Sequence, residues 1–341
     1  MVAYTERTVT GVLARRRGLT RVRLDDGSRA YALTQLTGPV STDDQVVVNT
    51  TAVDRGLGTG GWHVVAWNLT RGAFADPGPG HLMKLRYTGV QVDTGAAEEF
   101  GAEVPDHLEA TPVVVGGLHS QLPVVTAAIL RDRPGARIAY VMTDGGALPI
   151  ALSDVVAELT DRALLVGTVT AGHAFGGDLE ALNVASGLVS ARHRLGADVV
   201  VAVMGPGVAG TNSRLGYTGL EVAPILDAVA WLGGRPIACL RASGVDHRAR
   251  HHGISHHTVT ALDAVRSIVD VAHPPALARS DARHRWHELD PGDPVGLLAG
   301  ADLDVRTMGR GPADDPLSFS ATAAAGMLAA RWLGSTEETA P

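Results

Sequence analysis

Cysteine is almost missing. Cys239 is the only one in 341 residues, so no internal disulfide can form. It lies in the apolar run PIACL, where a free thiol reads as a small core hydrophobe rather than a nucleophile. Aromatic residues make up 4% of the chain, leaving no row of rings on which bases could stack. No uninterrupted apolar run reaches the roughly 18 residues that a membrane helix needs. The first ten residues lack a basic start followed by an apolar stretch, so no signal peptide is read and the cytoplasm is the default compartment. There is no G-x-x-x-x-G-K-[ST] phosphate loop, no G-x-S-x-G nucleophile elbow and no H-E-x-x-H zinc motif. These absences set aside a P-loop nucleotidase, a serine hydrolase of the elbow type and a zincin.

What remains is a chain of 45% hydrophobic and 19% charged residues, enough to bury a sizeable core. The net charge is −7. The one dense basic cluster, ARRRGLTRVR, holds Arg15, Arg16, Arg17, Arg21 and Arg23 in a predicted hairpin. Residues 1–95 read as a small β-barrel domain of OB, SH3-like or barrel-sandwich kind. Five short runs carry it (RTVTGVLA, TRVRL, RAYALT, DQVVVNTTA and WHVVAWNL), punctuated by DDGS and GLGTGG. A connector rich in Pro and Gly, ADPGPG, closes the region.

Residues 96–335 read as a doubly wound, mostly parallel α/β domain, with a disordered tail over 336–341. Strands are expected from Pro112, Ala136, Leu164, Asp198, Pro236 and Leu303. Their continuous rather than alternating apolarity points to burial on both faces. Helices are expected near Pro123 and Pro149, from Leu179, over 219–232, over 258–269 and over 318–333. Residues 272–301 give no clear pattern and read as an insertion or lid.

Ligands of open α/β sheets bind at the carboxyl ends of the strands. Here each such end leads into a polar loop rich in Gly, whereas the opposite connections are ordinary turns. His119 follows the first strand in GGLHSQLP. Asp144 leaves the second into Gly145 and Gly146. The third leads into GTVTAGHAFGGDLEALN, with His173, Asp178, Glu180 and Asn183. Asp178 is placed either as the N-cap of the helix from Leu179 or as a catalytic acid. Gly205, Gly207 and Gly210 spell G-x-G-x-x-G after the fourth strand. The following helix starts too late, and the next strand ends in Arg241 rather than an acid, which argues against a nicotinamide dinucleotide. An anion site lined by Asn212, Ser213 and Arg214 fits the loop better. After the fifth strand, DHRARHHGISHHT holds five histidines in eleven residues. His256 and His257, with Asp144 and His173, are the candidate ligands should a divalent metal bind.

HLMKLRYT, GLHSQLP, YVMTDGGALP, GHAFGGDLEALN, MGPGVAGTNSRLG and GISHHT, in that order, resemble the bacterial family known only as domain-of-unknown-function family 3866. The resemblance covers most of the chain. It implies a bacterial cytoplasmic protein and brings no activity, substrate or cofactor with it.

The residues themselves lead to an enzyme acting on a small anionic or polar metabolite. It would use acid/base or metal-assisted hydrolase, lyase or transfer chemistry. His173 or His119 would serve as base or acid, Asp144 and Asp178 would orient it, and the Gly205–Gly210 loop with Arg214 would hold an anionic group. Its partner is a small-molecule ligand, with a second copy of the chain left open. The alternatives are a non-catalytic sensor using the same rim and a nucleic-acid-associated protein using the barrel arginines.

Overall fold

The computed structural model describes residues 2–58, 60–279 and 281–333; the tail expected over 336–341 lies outside them. The chain divides into two compact units, one ending at Gly95 and one beginning at Ala96.

The first unit is a closed five-stranded barrel of β1 (Tyr4–Arg16), β2 (Leu19–Leu24), β3 (Arg29–Leu33), β4 (Gln45–Asn49) and β5 (Trp62–Asn68), in the order β1-β2-β3-β5-β4. One-turn helices α1 (Thr34–Thr37) and α2 (Thr51–Asp54) fill the connections around β4. The two-residue strands β6 (Met83–Lys84) and β7 (Val92–Asp93) follow the barrel. A simple meander would set β4 between β3 and β5. Instead β3 pairs parallel with β5 and β4 returns to β1, the Greek-key order of an OB-type barrel. Each strand predicted for this region is present. Its tight turns made it legible: Gly27 sits at φ +81°, and the Asp26 carboxylate accepts from Ser28 N at 2.9 Å. Alternate residues Val22, Leu24, Ala30, Ala32, Val46 and Val48 fill the interior.

The second unit is built on an eight-stranded parallel sheet, in the order β11-β10-β9-β12-β8-β13-β16-β17. Its strands are β8 (Pro112–Gly116), β9 (Ile138–Thr143), β10 (Gly167–Ala171), β11 (Leu179–Ala181), β12 (Val199–Met204), β13 (Arg235–Ala238), β16 (Asp270–His273) and β17 (Arg285–Glu288). A small hairpin of β14 (Ala242–Ser243) and β15 (Gly253–Ile254) stands apart from the sheet. Alternate side chains of the same strands feed two cores. Val114, Tyr140, Val201 and Ile237 pack with α3 (Gln121–Asp132), α4 (Asp154–Asp161), α8 (Pro294–Gly300) and α9 (Pro316–Leu333). Val113, Val141, Val200 and Ala238 pack with α5 (Val184–His193), α6 (Val222–Trp231) and α7 (His256–Ala264). Among the described residues no helix is long and apolar enough to cross a membrane.

Four expectations about the elements are corrected. The helix expected from Leu179 begins at Val184, and Leu179–Ala181 is instead the edge strand β11. The side chains of Asp178 and Glu180 bond to Thr168 and Thr170 of β10, at 2.9 and 2.6 Å. That spacing of two residues belongs to a strand. Asp178 is therefore no helix cap. The cap is Asn183, whose side chain accepts from Ser186 N at 3.0 Å. Asn183→Ala is expected to cost about 1 kcal/mol in urea unfolding and to leave ligand binding unchanged.

The segment from Leu303 makes no sheet strand, only a bridge between Thr307 and Arg310. The place beside β13 belongs to β16, and β17 lies beyond it. The supposed insertion over 272–301 holds the end of β16, all of β17 and α8. The helix expected over 258–269 stops at Ala264, where Val265 turns extended (φ −60°, ψ 135°) and the chain enters β16. Leu262, Val265 and Val269 are all buried, and their spacing fits a helix or a turn into a strand equally well.

Candidate functional site

Adjacent strands in the middle of the sheet send their chains to opposite faces, and polar side chains gather at two of these places on the carboxyl edge. β9 leads to α4 on one face, and its neighbour β12 leads to α6 on the other. β8 leads to α3 and its neighbour β13 to α7, again on opposite faces. Where adjacent strands send their chains to opposite sides, the loops part and leave a cleft.

The β9/β12 crevice holds Asp144, at the end of β9, and Glu221, in the 3-10 turn Thr218–Glu221 before α6. Thr143 Oγ1 donates to Glu221 Oε1 at 2.5 Å. Burial and then the charge of Asp144 push the Glu221 carboxyl up to about 7, against the hydrogen bond from Thr143. Asp144 is exposed, and its Oδ2 accepts from His173 N at 3.0 Å. His173 thus reaches the Asp144 carboxylate through its main chain, while its ring is half-buried in the turn after β10.

The glycines of this crevice are spacers between backbones. A methyl at Gly145 would meet Glu221 Oε2 at 2.5 Å. One at Gly146 would press into Gly205 O, with Gly205 C at 2.9 Å and Pro206 O at 3.0 Å. Ala147 N donates to Pro206 O at 2.7 Å, so the loops after β9 and β12 are laced together. Gly146→Ala is expected to cost about 1–3 kcal/mol in denaturant unfolding, because backbone rather than a yielding side chain blocks the methyl. A stability within about 0.5 kcal/mol of wild type would mean that the two loops are not packed in this way.

His119 lies beneath the same edge with both ring nitrogens occupied. Nδ1 donates to Met204 O at 3.1 Å, and Nε2 accepts from Ser153 Oγ at 2.7 Å. Burial pulls its pKa down to about 4, the Met204 carbonyl acting the other way. The ring is therefore neutral at neutral pH, and it ties β8, the end of β12 and the cap of α4 together. Asp178, Glu180 and Asn183 belong to the β10–β11 edge and the start of α5, as described above.

The Gly205–Gly210 loop continues into a hairpin, with Gly207 at φ +99° and Gly210 bridged to Tyr217. The amides of Ala209, Thr211 and Ser213 donate to Thr218 Oγ1, Gly216 O and Thr211 Oγ1. These three are spent within the hairpin. At its exposed tip Arg214 pairs with Asp263 at 3.1 Å, and Asn212 accepts from Arg250 at 3.0 Å.

The β8/β13 crevice holds the histidine-rich segment. His256 and His257 open α7 behind the cap Ser255, and His251 joins them; one ring nitrogen from each lies within 4.8 Å of the others. Asp144 and His173, the other two candidate metal ligands, are not part of this cluster. Tyr217 stacks on His257, with centroids 3.8 Å apart and planes at 4°. Arg241, the residue that follows Leu240 beyond β13, donates from Nη1 to His257 Nδ1 at 3.0 Å. Burial, and then the charge of Arg241, lower His251 to about 4 and His257 to about 3. Arg241 and His257 also line a water-sized cavity of about 20 Å³ with Gly117 and Gly219.

The family described as "Protein of unknown function (DUF3866)" matches residues 29–326. The chain belongs to this family. The matched span takes in both crevices and the barrel from β3 onward. No curated protein and no solved structure matches the chain.

Sequence reasoning missed Glu221, Tyr217, Arg241 and His251 as site residues. Glu221 looked like an ordinary acid within a helix. The signal available was its position in the loop after the fourth strand, opposite Asp144.

Proposed function

We propose that the protein is an enzyme that acts on a small polar metabolite at the carboxyl edge of its parallel sheet, by acid/base chemistry centred on Glu221. One observation carries this reading: a largely buried carboxyl, pushed up to about 7 and set beside a second carboxylate, sits in a crevice between strands whose chains diverge. A group titrating near neutrality exchanges protons with substrate most effectively. Thr143 holds one Glu221 oxygen and leaves the other, against Gly145, to the reacting group. Asp144 keeps the proton on Glu221 when substrate is absent. Its partner is a small-molecule ligand, and its compartment is the cytoplasm. The class of reaction is hydrolysis, elimination or group transfer, each of which needs such a proton carrier.

The test is depletion of one component from a defined metabolite pool by the purified full-length chain. Turnover by wild type that is lost in Glu221→Gln supports the reading. Equal turnover by both proteins overturns it. Ligand binding without turnover by wild type would make the protein a sensor.

A further inference from the structure

Four arginines surround the histidine cluster of the β8/β13 crevice: Arg241, Arg248, Arg250 and Arg310. Two of them are matched. Arg248 grips Asp246 with two bonds, at 3.0 and 2.8 Å, and Arg310 lies 3.4 Å from the buried Asp315. Among the described residues no carboxylate forms an ion pair with Arg241 or Arg250. Arg241 donates to a histidine, and Arg250 donates to the Asn212 amide oxygen and, at 3.4 Å, to His251 Nε2. Their hydrogen bonds thus go to neutral acceptors, while the charge of Asp246 also reaches Arg241. His256 Nε2 is buried with no hydrogen-bond partner, and the amino end of α7 adds its dipole to the same place.

We infer that Arg241, Arg250 and the rings of His256 and His257 form a binding site for the phosphoryl group of a small ligand. A phosphate monoester near neutral pH carries close to two negative charges and matches the two unpaired guanidinium groups; guanidinium forks and helix amino ends both suit its oxygens. A divalent cation suits the place poorly. His257 Nδ1 accepts from Arg241, which puts the ring proton on Nε2 and removes the lone pair that a metal would need there. Both guanidinium groups would also repel the ion. Tyr217, stacked on His257, stands four residues before Glu221 in the same short segment, so the 3-10 turn joins this crevice to the one that holds Glu221. The inference rests on the proposed function and names its substrate class, a phosphorylated metabolite.

The probe is inorganic phosphate, titrated calorimetrically into the full-length chain at low salt, with acetate in parallel. Wild type is expected to bind phosphate saturably and acetate at least about tenfold more weakly. Arg241→Gln and Arg250→Gln should each weaken phosphate by about tenfold or more, the scale of one lost charged hydrogen bond. Arg162→Gln, which alters exposed contacts at the end of α4 with Glu158, Ala301 and Asp302, should bind as wild type does. Arg250 is exposed, so its variant keeps the test sound should Arg241→Gln misfold. Unchanged binding in Arg250→Gln, or no binding by wild type, overturns the inference. So does stoichiometric Zn²⁺ uptake that is lost in His256→Ala. Glu221→Gln should bind phosphate in full, so failure of the catalytic reading and failure of this one are separable.

Discussion

Glu221→Gln is expected to lower kcat by about 10²–10⁴-fold, the usual worth of a positioned proton carrier, while KM changes little. The pH–rate profile should lose a limb near pH 7, because the group that titrates there is gone. Stability gives a second readout that does not need the substrate. The folded value of about 7 lies above the ordinary 4.5 of a glutamate. The folded chain therefore holds a proton that the unfolded chain releases between those pH values. Stability contributed by this group falls as pH rises through that interval, and the full penalty is present above about pH 7. Replacing the carboxyl by an amide should accordingly raise the melting temperature above pH 7 and leave it nearly unchanged below pH 4.5. A variant that melts with the pH dependence of wild type would show that Glu221 is not held as described, whatever its activity.

The difference between Glu221 and the residues singled out from sequence is instructive. His119, His173 and Asp144 were found because each ends a strand in a loop rich in Gly, and the strands themselves were legible from long apolar runs. The topology that brings Glu221 opposite Asp144 was not legible. It depends on β12 returning between β9 and β8, a choice that no local pattern encodes. Short elements were lost for a different reason. β11, β16 and β17 have three or four residues each, too few for a period to show. Asp178 and Glu180 imitated the first turn of a helix, while their real partners, Thr168 and Thr170, lay ten residues earlier across a strand pair. The histidine-rich segment was visible as composition only. Its meaning came from the arginines that the fold gathers around it, one of them from beyond residue 300.

Asp315 ties those distant pieces together, and Asp315→Ala is expected to cost about 3–5 kcal/mol, the range for breaking a buried ion pair from one side. The residue is fully buried. Its Oδ2 accepts from Ser243 Oγ at 2.5 Å and its Oδ1 from Gly244 N at 2.9 Å, and Arg310 Nε lies 3.4 Å away. Ser243 in turn accepts from Asp246 N at 2.9 Å, and Asp246 holds Arg248. Removing the carboxylate takes away the nearer of the two carboxylates beside Arg310, leaving only Asp246 at 4.0 Å, and loosens the turn that carries Asp246 into the arginine cluster. Two consequences follow for measurement. The urea midpoint should fall, the slope staying that of wild type. Asp315→Asn, which keeps an acceptor but loses the charge, should fall between wild type and the alanine variant. A loss below about 1 kcal/mol in Asp315→Ala, the scale of an exposed pair, would show that this carboxylate does not anchor the cluster.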